Sequence, residues 1–384
     1  MEFEFSTAHQ IIFGPGTARQ AGTLASRLGK TVLVVTGSVA DRHDFIFHDL
    51  EAHGLEWEGF TIPKEPTVAL ILSGVETAKS TACDLVIALG GGSTMDSGKA
   101  IAALMTNPGN PMDYLEVVGK GLPITNQPAP FIALPTTAGT GAEVTRNAVL
   151  LSEEHQVKVS MRSPLMLPDV AIVDPELTYS MPPHITAGTG LDALTQLMEA
   201  FVSPYANPMT DALCREGIKR AAPALERAYV DSGEKAARYD MCLASLWGGM
   251  ALANAKLGAV HGIAGPLGGM FPSPHGDVCG RILPEVMEMN INALQQRLPD
   301  SKTLRRYEEI AGMVLSDRNS SAMDGAAWVK KLCQRLKMPP LSTYGMSEDN
   351  LDTLIQQSQR SSSMQGNPVQ LTDEELRDIL RKAM

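Results

Sequence analysis

Cysteine is sparse and scattered. The 384-residue chain has five, Cys83, Cys214, Cys242, Cys279 and Cys333, and no CxxC pair. That spacing argues against a disulfide framework and predicts no cysteine-based zinc site. Positive charge is also short: 32 Lys+Arg stand against 43 Asp+Glu, a net charge of −11. Nucleic acids and anionic membranes, which need the opposite balance, are not expected as partners. No run approaches the ~18 apolar residues of a membrane span. The acidic opening Met1–Phe5 leads into no apolar stretch of the signal-peptide kind, so a reduced, cytoplasmic setting is expected. What remains is a globular composition, 44% hydrophobic and 20% charged. The 20 methionines read as pliable core packing.

The first half alternates between two textures. Apolar runs at Thr31–Thr36, Asp84–Leu89, Phe131–Leu134 and Ala171–Val173 each stop at Gly, Pro or Asp, which suits buried parallel strands. Helical patterns lie between them, as at Val68–Ala82 and Ser97–Met105. Such alternation predicts an α/β domain. Past Met181-Pro-Pro183 only helical patterns follow, including Gly190–Phe201, Pro208–Tyr229, Glu234–Leu257, His261–Leu267 and Leu283–Leu298. Thr372 and Glu375 have capping-box spacing before a last helix. The expected division is 1–181, a dinucleotide-binding α/β domain, and 182–384, an all-helical metal and substrate domain.

Three segments could carry chemistry. Gly90-Gly-Gly-Ser-Thr-Met-Asp-Ser-Gly-Lys-Ala100 runs from a buried strand into a helix. Glycines there admit a phosphate, and free N–H groups at the helix start bind it; the plainer reading is a tight strand–helix turn. Pro135-Thr-Thr-Ala-Gly-Thr-Gly-Ala-Glu-Val-Thr145 follows another strand. It can hydrogen-bond phosphate, ribose or carboxamide, or be an ordinary loop. In the helical half, Asp192 and Gln196 share a helix face at i,i+4, and His261 and His275 flank the Gly/Pro-rich stretch Gly262–Pro274, which is expected to turn sharply. These are candidate ligands for a divalent ion, or a helix-capping Asp with two structural histidines. His9, His43, His48, His53 and His155 read as surface or loop residues.

Together these motifs, with Phe13-Gly-Pro-Gly16, Pro168-Asp-Val-Ala-Ile-Val-Asp-Pro175, Gly190–Ala200, Ala259–Gly268 and Pro274-His-Gly276, resemble the iron-containing (group III) alcohol dehydrogenase family along essentially the whole chain. The resemblance implies the dehydroquinate synthase-like fold: an α/β dinucleotide-binding domain plus an all-helical C-terminal domain, with the active site in the cleft between. It implies an NAD(P)-dependent oxidoreductase interconverting a small alcohol and its aldehyde or ketone, acting as a homodimer. Gly91, Gly92 and Ser93 would cradle the pyrophosphate, with Thr94 and Asp96 along the cofactor. Thr136, Thr137, Thr140 and Thr145 would contact phosphate, ribose or nicotinamide, and Lys158 and Leu177 would complete the cleft. Asp192, His261 and His275 match three metal ligands. His261 and His275 are also candidate catalytic groups. Arg146, Asn147 and Leu252 are candidates for the substrate wall.

The chain departs from the family pattern at four places. Gln196 stands where the family has a fourth ligand His, and Gly265 where it has a further His near the nicotinamide. Gln is a poorer ligand than imidazole for Fe or Zn, so a weakly held ion or none is expected. Lys256, in a place that tends to be small or apolar, could grip an anionic substrate or polarise a carbonyl. It lies about 140° around from His261 if both share one helix. Gly37-Ser38 replaces the Asp that accepts the ribose 2′-hydroxyl, which favours NADP(H) over NAD; Glu65 pulls weakly the other way. The rival expectation is an inactive homologue that keeps the nucleotide site and has lost metal-dependent catalysis.

Overall fold

The structure is a computed structural model and describes residues 2–38 and 44–384; His43 lies outside the described residues. The chain packs into two compact units. One comprises Ser6–Thr137 and Gly141–Tyr179, the other Ala138–Thr140 and Ser180–Met384 with the first residues of the chain.

The first unit is built on a six-stranded parallel sheet. Its strands are β1 (Gln10–Phe13), β2 (Thr31–Gly37), β3 (Glu56–Ile62), β4 (Leu85–Gly90), β5 (Phe131–Pro135) and β8 (Val170–Val173). Their order is β1-β8-β5-β4-β2-β3. The central strands are apolar on both faces because both are covered. Along β2, Val32 and Val34 join one core cluster, and Leu33 and Val35 join another across the sheet. An antiparallel hairpin, β6 (Asn147–Ser152) and β7 (Val157–Arg162), stands apart from the sheet. The four expected strands are β2, β4, β5 and β8. The sequence reading missed β3, whose Glu56, Glu58 and Gly59 sit on a sheet edge. The helix expected at Ser97 begins earlier, spanning Gly92–Thr106, so the glycine motif is its first turn.

The second unit is helical among the described residues. The Pro183–Val202 helix runs through its middle and is buried on nearly every face from Thr186 onward, as a helix surrounded by others must be. The helices Pro208–Val230, Lys235–Ala255 and His275–Arg297 pack around it. The stretch Gly262–Pro274 does not turn throughout: Ala259–Met270 is helical, and the turn is confined to 271–274. Pro284 lies inside the His275–Arg297 helix and cannot donate to the carbonyl four residues back. That carbonyl, of Gly280, accepts instead from the Cys333 thiol at 3.0 Å. The Thr372–Glu375 capping box forms as expected.

Candidate functional site

In the α/β unit the carboxyl ends of three adjacent strands carry the motif residues: Gly37 on β2, Gly90 on β4, and Thr136 and Thr137 after β5. This is where ligands bind in parallel sheets. Gly91 is the N-cap of the Gly92–Thr106 helix, in extended conformation, and no side chain caps it. Met95 N–H is bonded to Gly91 O at 3.0 Å. The N–H groups of Gly92, Ser93 and Thr94 come before the first intrahelical bond, so a 15-residue helix presents a bare positive end suited to an anion. Glycine serves two purposes here. A Cβ on Gly90 would lie 2.4 Å from Thr94 Oγ1, whereas one on Gly91 would stand 3.4 Å from Thr137 Cγ2. The first glycine permits the turn and the second leaves room above it.

Two expected cofactor contacts face elsewhere. Thr145 and Asp96 surround Lys99, whose side chain is fully buried. Lys99 Nζ donates to Thr145 Oγ1 at 3.0 Å and to the Asn147 carbonyl, and pairs with Asp96 at 3.3 Å. Asp96 in turn accepts from Val149 N–H at 3.1 Å. Burial pushes Lys99 down and Asp96 up from their ordinary pKa values, against their mutual attraction. Glu143, also buried, is pushed up to about 7 by desolvation, against a backbone hydrogen bond and Lys99. This inward cluster braces the glycine-headed helix against β6. Lys158 pairs with Glu65 at 2.9 Å, and Leu177 packs on the sheet core. Ser38 is exposed; Thr140, Arg146 and Asn147 are half-buried.

In the helical unit three helices bring four ligand atoms together. Asp192 comes from Pro183–Val202, His261 from the first turn of Ala259–Met270, and His275 and Cys279 from the first turns of His275–Arg297. His275 and Cys279, four apart, share a face. Their helix meets Pro183–Val202 glycine to backbone: a Cβ on Gly276 would lie 2.2 Å from Gly188 O. Gly188 is one turn before Asp192, so this close approach sets His275 beside the carboxylate. His261 Nε2 is 3.1 Å from Asp192 Oδ1, and His275 Nε2 is 3.8 Å from it. Cys279 Sγ is 3.5 Å from His275 Nε2 and 3.9 Å from His261 Nε2. All four ligand atoms lie within 4.8 Å of one another. Burial would raise Asp192, but hydrogen bonding to His261 and the charge of His275 outweigh it and hold the carboxyl low. Burial likewise opposes charging His261 and His275. The Cys279 sulfur and Asp192 overcome it for both, and Glu199 helps at His261, so both are raised.

Behind His261 stands Glu199, which the sequence reading missed. It lies seven residues after Asp192, on the same helix face. Glu199 accepts from Val260 N–H at 2.7 Å and meets His261 Nδ1 at 2.6 Å. A carboxylate on Nδ1 fixes the tautomer, leaving Nε2 to face Asp192. Asn367 accepts from the next N–H, of Ala259, at 3.1 Å.

Gln196 is buried but is not one of the four. It is hydrogen-bonded to Asp192, and its Oε1 has no hydrogen-bond partner, lying 3.2 Å from where a Gly248 Cβ would stand. Cys279 is the fourth member of this cluster of His, Cys and Asp donors among the described residues. Cys279 stands four residues after His275, a spacing outside the CxxC pattern. A Cβ on Gly265 would meet nothing within 4 Å. Lys256 goes elsewhere. It caps the Lys235–Ala255 helix at φ 60°, ψ 177°, a conformation that costs a non-glycine residue about 1–3 kcal/mol. Its ammonium donates to Gln365 Oε1 at 3.1 Å and lies 4.2 Å from the Tyr205 ring centroid. Because one helix ends at Ala255 and the next begins at Ala259, the single-helix angle between Lys256 and His261 does not apply. Leu252 is half-buried on the same helix as Lys256's cap.

The family model described as "Iron-containing alcohol dehydrogenase" matches residues 8–175, and that described as "Fe-containing alcohol dehydrogenase family, C-terminal" matches 186–384. The chain is 33% identical to a choline dehydrogenase of Bacillus subtilis, over 97% of this chain and 92% of that protein. It is also 33% identical to a 1,3-propanediol dehydrogenase of Klebsiella pneumoniae, over 99% and 98%. Among solved structures, a sulfoacetaldehyde reductase from Bifidobacterium kashiwanohense in complex with NAD+ superposes with TM-score 0.87 at 30% identity, covering 100% of this chain and 99% of that one. With both halves matched in order and the donor cluster assembled in the helical one, the chain belongs to the iron-containing alcohol dehydrogenase family.

Proposed function

We propose that this protein is an NAD(P)-dependent oxidoreductase that interconverts a small alcohol and its aldehyde or ketone. Residues 1–181 would hold the dinucleotide, with NADP(H) favoured, and 182–384 would hold a divalent metal and the substrate. The observation that carries the reading is the convergence of Asp192, His261 and His275 in a chain of this family. The donor chemistry fits a divalent ion: a carboxylate held low in pKa faces two imidazole nitrogens and a sulfur in a buried setting. The uncapped helix behind Gly91 fits a pyrophosphate. When bound, the ion supplies Lewis acidity at the carbonyl oxygen and the nicotinamide supplies or accepts hydride.

The chain's own residues supply the remainder. Gly91, Gly92, Ser93 and Thr94 bind the phosphates through backbone N–H groups, with Thr136 and Thr137 beside them. Lys99, Asp96 and Thr145 hold that helix in place. Gly37 supports NADP(H), because it brings no carboxylate of its own to repel a 2′-phosphate. Glu199 keeps His261 in the tautomer whose Nε2 is free for a ligand bond. Arg146 is the candidate partner for an anionic group on the substrate, since Lys256 is already engaged at Gln365 and Tyr205.

The test is turnover of a panel of small alcohols and aldehydes, followed by nicotinamide absorbance, with protein purified without chelator. We expect reduction of at least one aldehyde, a preference for NADPH in kcat/KM, loss on chelation and recovery with added metal. No turnover and no nucleotide binding in metal-replete protein would overturn the reading.

A further inference from the structure

We propose that Cys279 is a metal ligand, so that the site is Asp192, His261, His275 and Cys279, and that the thiolate tunes it toward zinc rather than iron. The inference rests on the metal-dependent reading above. A tetrahedral ion about 2.0–2.3 Å from its O, N and S donors sets those donors about 3.3–3.8 Å apart. Four of the six donor pairs already stand at 3.1, 3.5, 3.8 and 3.9 Å and the other two within 4.8 Å, so a modest contraction is needed to receive one. Among the His, Cys, Asp and Glu side chains of the described residues these four alone converge; Gln196, hydrogen-bonded to Asp192 and with its oxygen unpartnered, is the competing donor that the test separates from Cys279.

Charge and softness point the same way. With Gln196 alone the donor set would carry one negative charge. With the Cys279 thiolate it carries two, matching a divalent cation. Binding replaces the S–H bond by a sulfur–metal bond, and the proton leaves to solvent. Carboxylate and imidazole serve many divalent ions, while thiolate selects for the softer ones, zinc among them. Among the other cysteines, Cys333 has its thiol committed to the Gly280 carbonyl. Cys83, Cys214 and Cys242 are buried outside the cluster.

The experiment uses the full chain, stripped with chelator and titrated with Co²⁺, and separately loaded with zinc. Thiolate ligation gives a near-ultraviolet sulfur-to-cobalt charge-transfer band. We expect that band in the wild type and in Cys333→Ser, and its loss in Cys279→Ser. X-ray absorption of the zinc-loaded wild type should show one sulfur at about 2.3 Å; this measurement decides alone if Cys279→Ser does not fold. Cobalt bound without the band, a band that survives Cys279→Ser, or a zinc shell of nitrogen and oxygen only overturns the Cys279 assignment and leaves the metal-dependent reading standing. Failure to bind either ion overturns both.

Discussion

In the α/β unit the groups offered to a ligand are backbone N–H groups at the head of the Gly92–Thr106 helix. The helical unit offers side chains instead, each from a different turn and each titratable. The first site is made by what is missing, a cap and three Cβ atoms; its titratable residues, Asp96, Lys99 and Glu143, face inward and brace it. In the second, charged and nucleophilic groups face one another and the bracing falls to Glu199 and to the contact of Gly188 with Gly276. A backbone site tolerates change in neighbouring side chains. A side-chain site changes its chemistry with each substitution.

The sharpest way to separate the two is to remove the residue on which the second converges. Asp192→Ala should abolish stoichiometric metal, read by elemental analysis. It should lower kcat/KM by at least on the order of 10²–10³-fold, the scale of losing one stabiliser of a developing oxyanion. Nucleotide affinity should be unchanged. The next largest effect is at the glycines. Gly91→Val should abolish nucleotide binding, measured by calorimetry, in a protein of near-normal Tm. Gly90→Ala should show its cost in Tm, because its Cβ would strike Thr94; about 1–3 kcal/mol is the usual cost of overpacking.

The third prediction concerns pH and the bracing charges. Between the ordinary 4.5 and about 7, the folded chain keeps on Glu143 a proton that the unfolded chain has released. The contribution of Glu143 to stability therefore falls as pH rises through that window, by about 3 kcal/mol in all, and is constant beyond it. Glu143→Gln should remove the slope: little difference from wild type at about pH 5, greater stability at about pH 8.5. Denaturant midpoints at both values check it, and equal slopes would show that Glu143 ionises normally. The smallest effect is expected at Gly37→Asp. A Cβ there has ordinary clearance, 3.6 Å from Thr94 Oγ1, so the fold should hold. Preference should shift from NADP(H) toward NAD(H) by about 1–3 kcal/mol in the ratio of kcat/KM values, from like-charge contact with the 2′-phosphate.

The sequence made the α/β half legible where physics is local. Val32–Val35 and Leu85–Leu89 are continuous apolar runs because both faces of their strands are covered, and glycine after a strand is a turn signal in its own right. β3 escaped because an edge strand, with Glu56 and Glu58 in it, carries no such run. Lys99 was read only as part of a glycine motif. A lysine among Gly98, Ala100 and Ile101 was the available signal that a cation is buried. In the helical half Asp192, His261 and His275 are legible as candidate ligands from helix spacing and from their place around the Gly/Pro-rich stretch, with a helix cap and structural histidines as the alternative, and the resemblance favours the ligand reading. Cys279 belongs to no CxxC pair; on a helix the spacing that brings two side chains together is four, here from His275. Glu199 was hidden because its role, holding another residue's ring, appears only once two helices are packed.

Glu199 joins a backbone amide and a ligand imidazole through one carboxylate. The Val260 N–H is therefore a gauge of its neighbour. While the carboxylate is locked between them, that proton is sheltered from exchange with heavy water. If the His261 ring swings away, the carboxylate is freed to follow it and the amide is uncovered. The condition of the candidate metal site can thus be followed by deuterium uptake at the start of the Ala259–Met270 helix, without substrate, cofactor or any turnover.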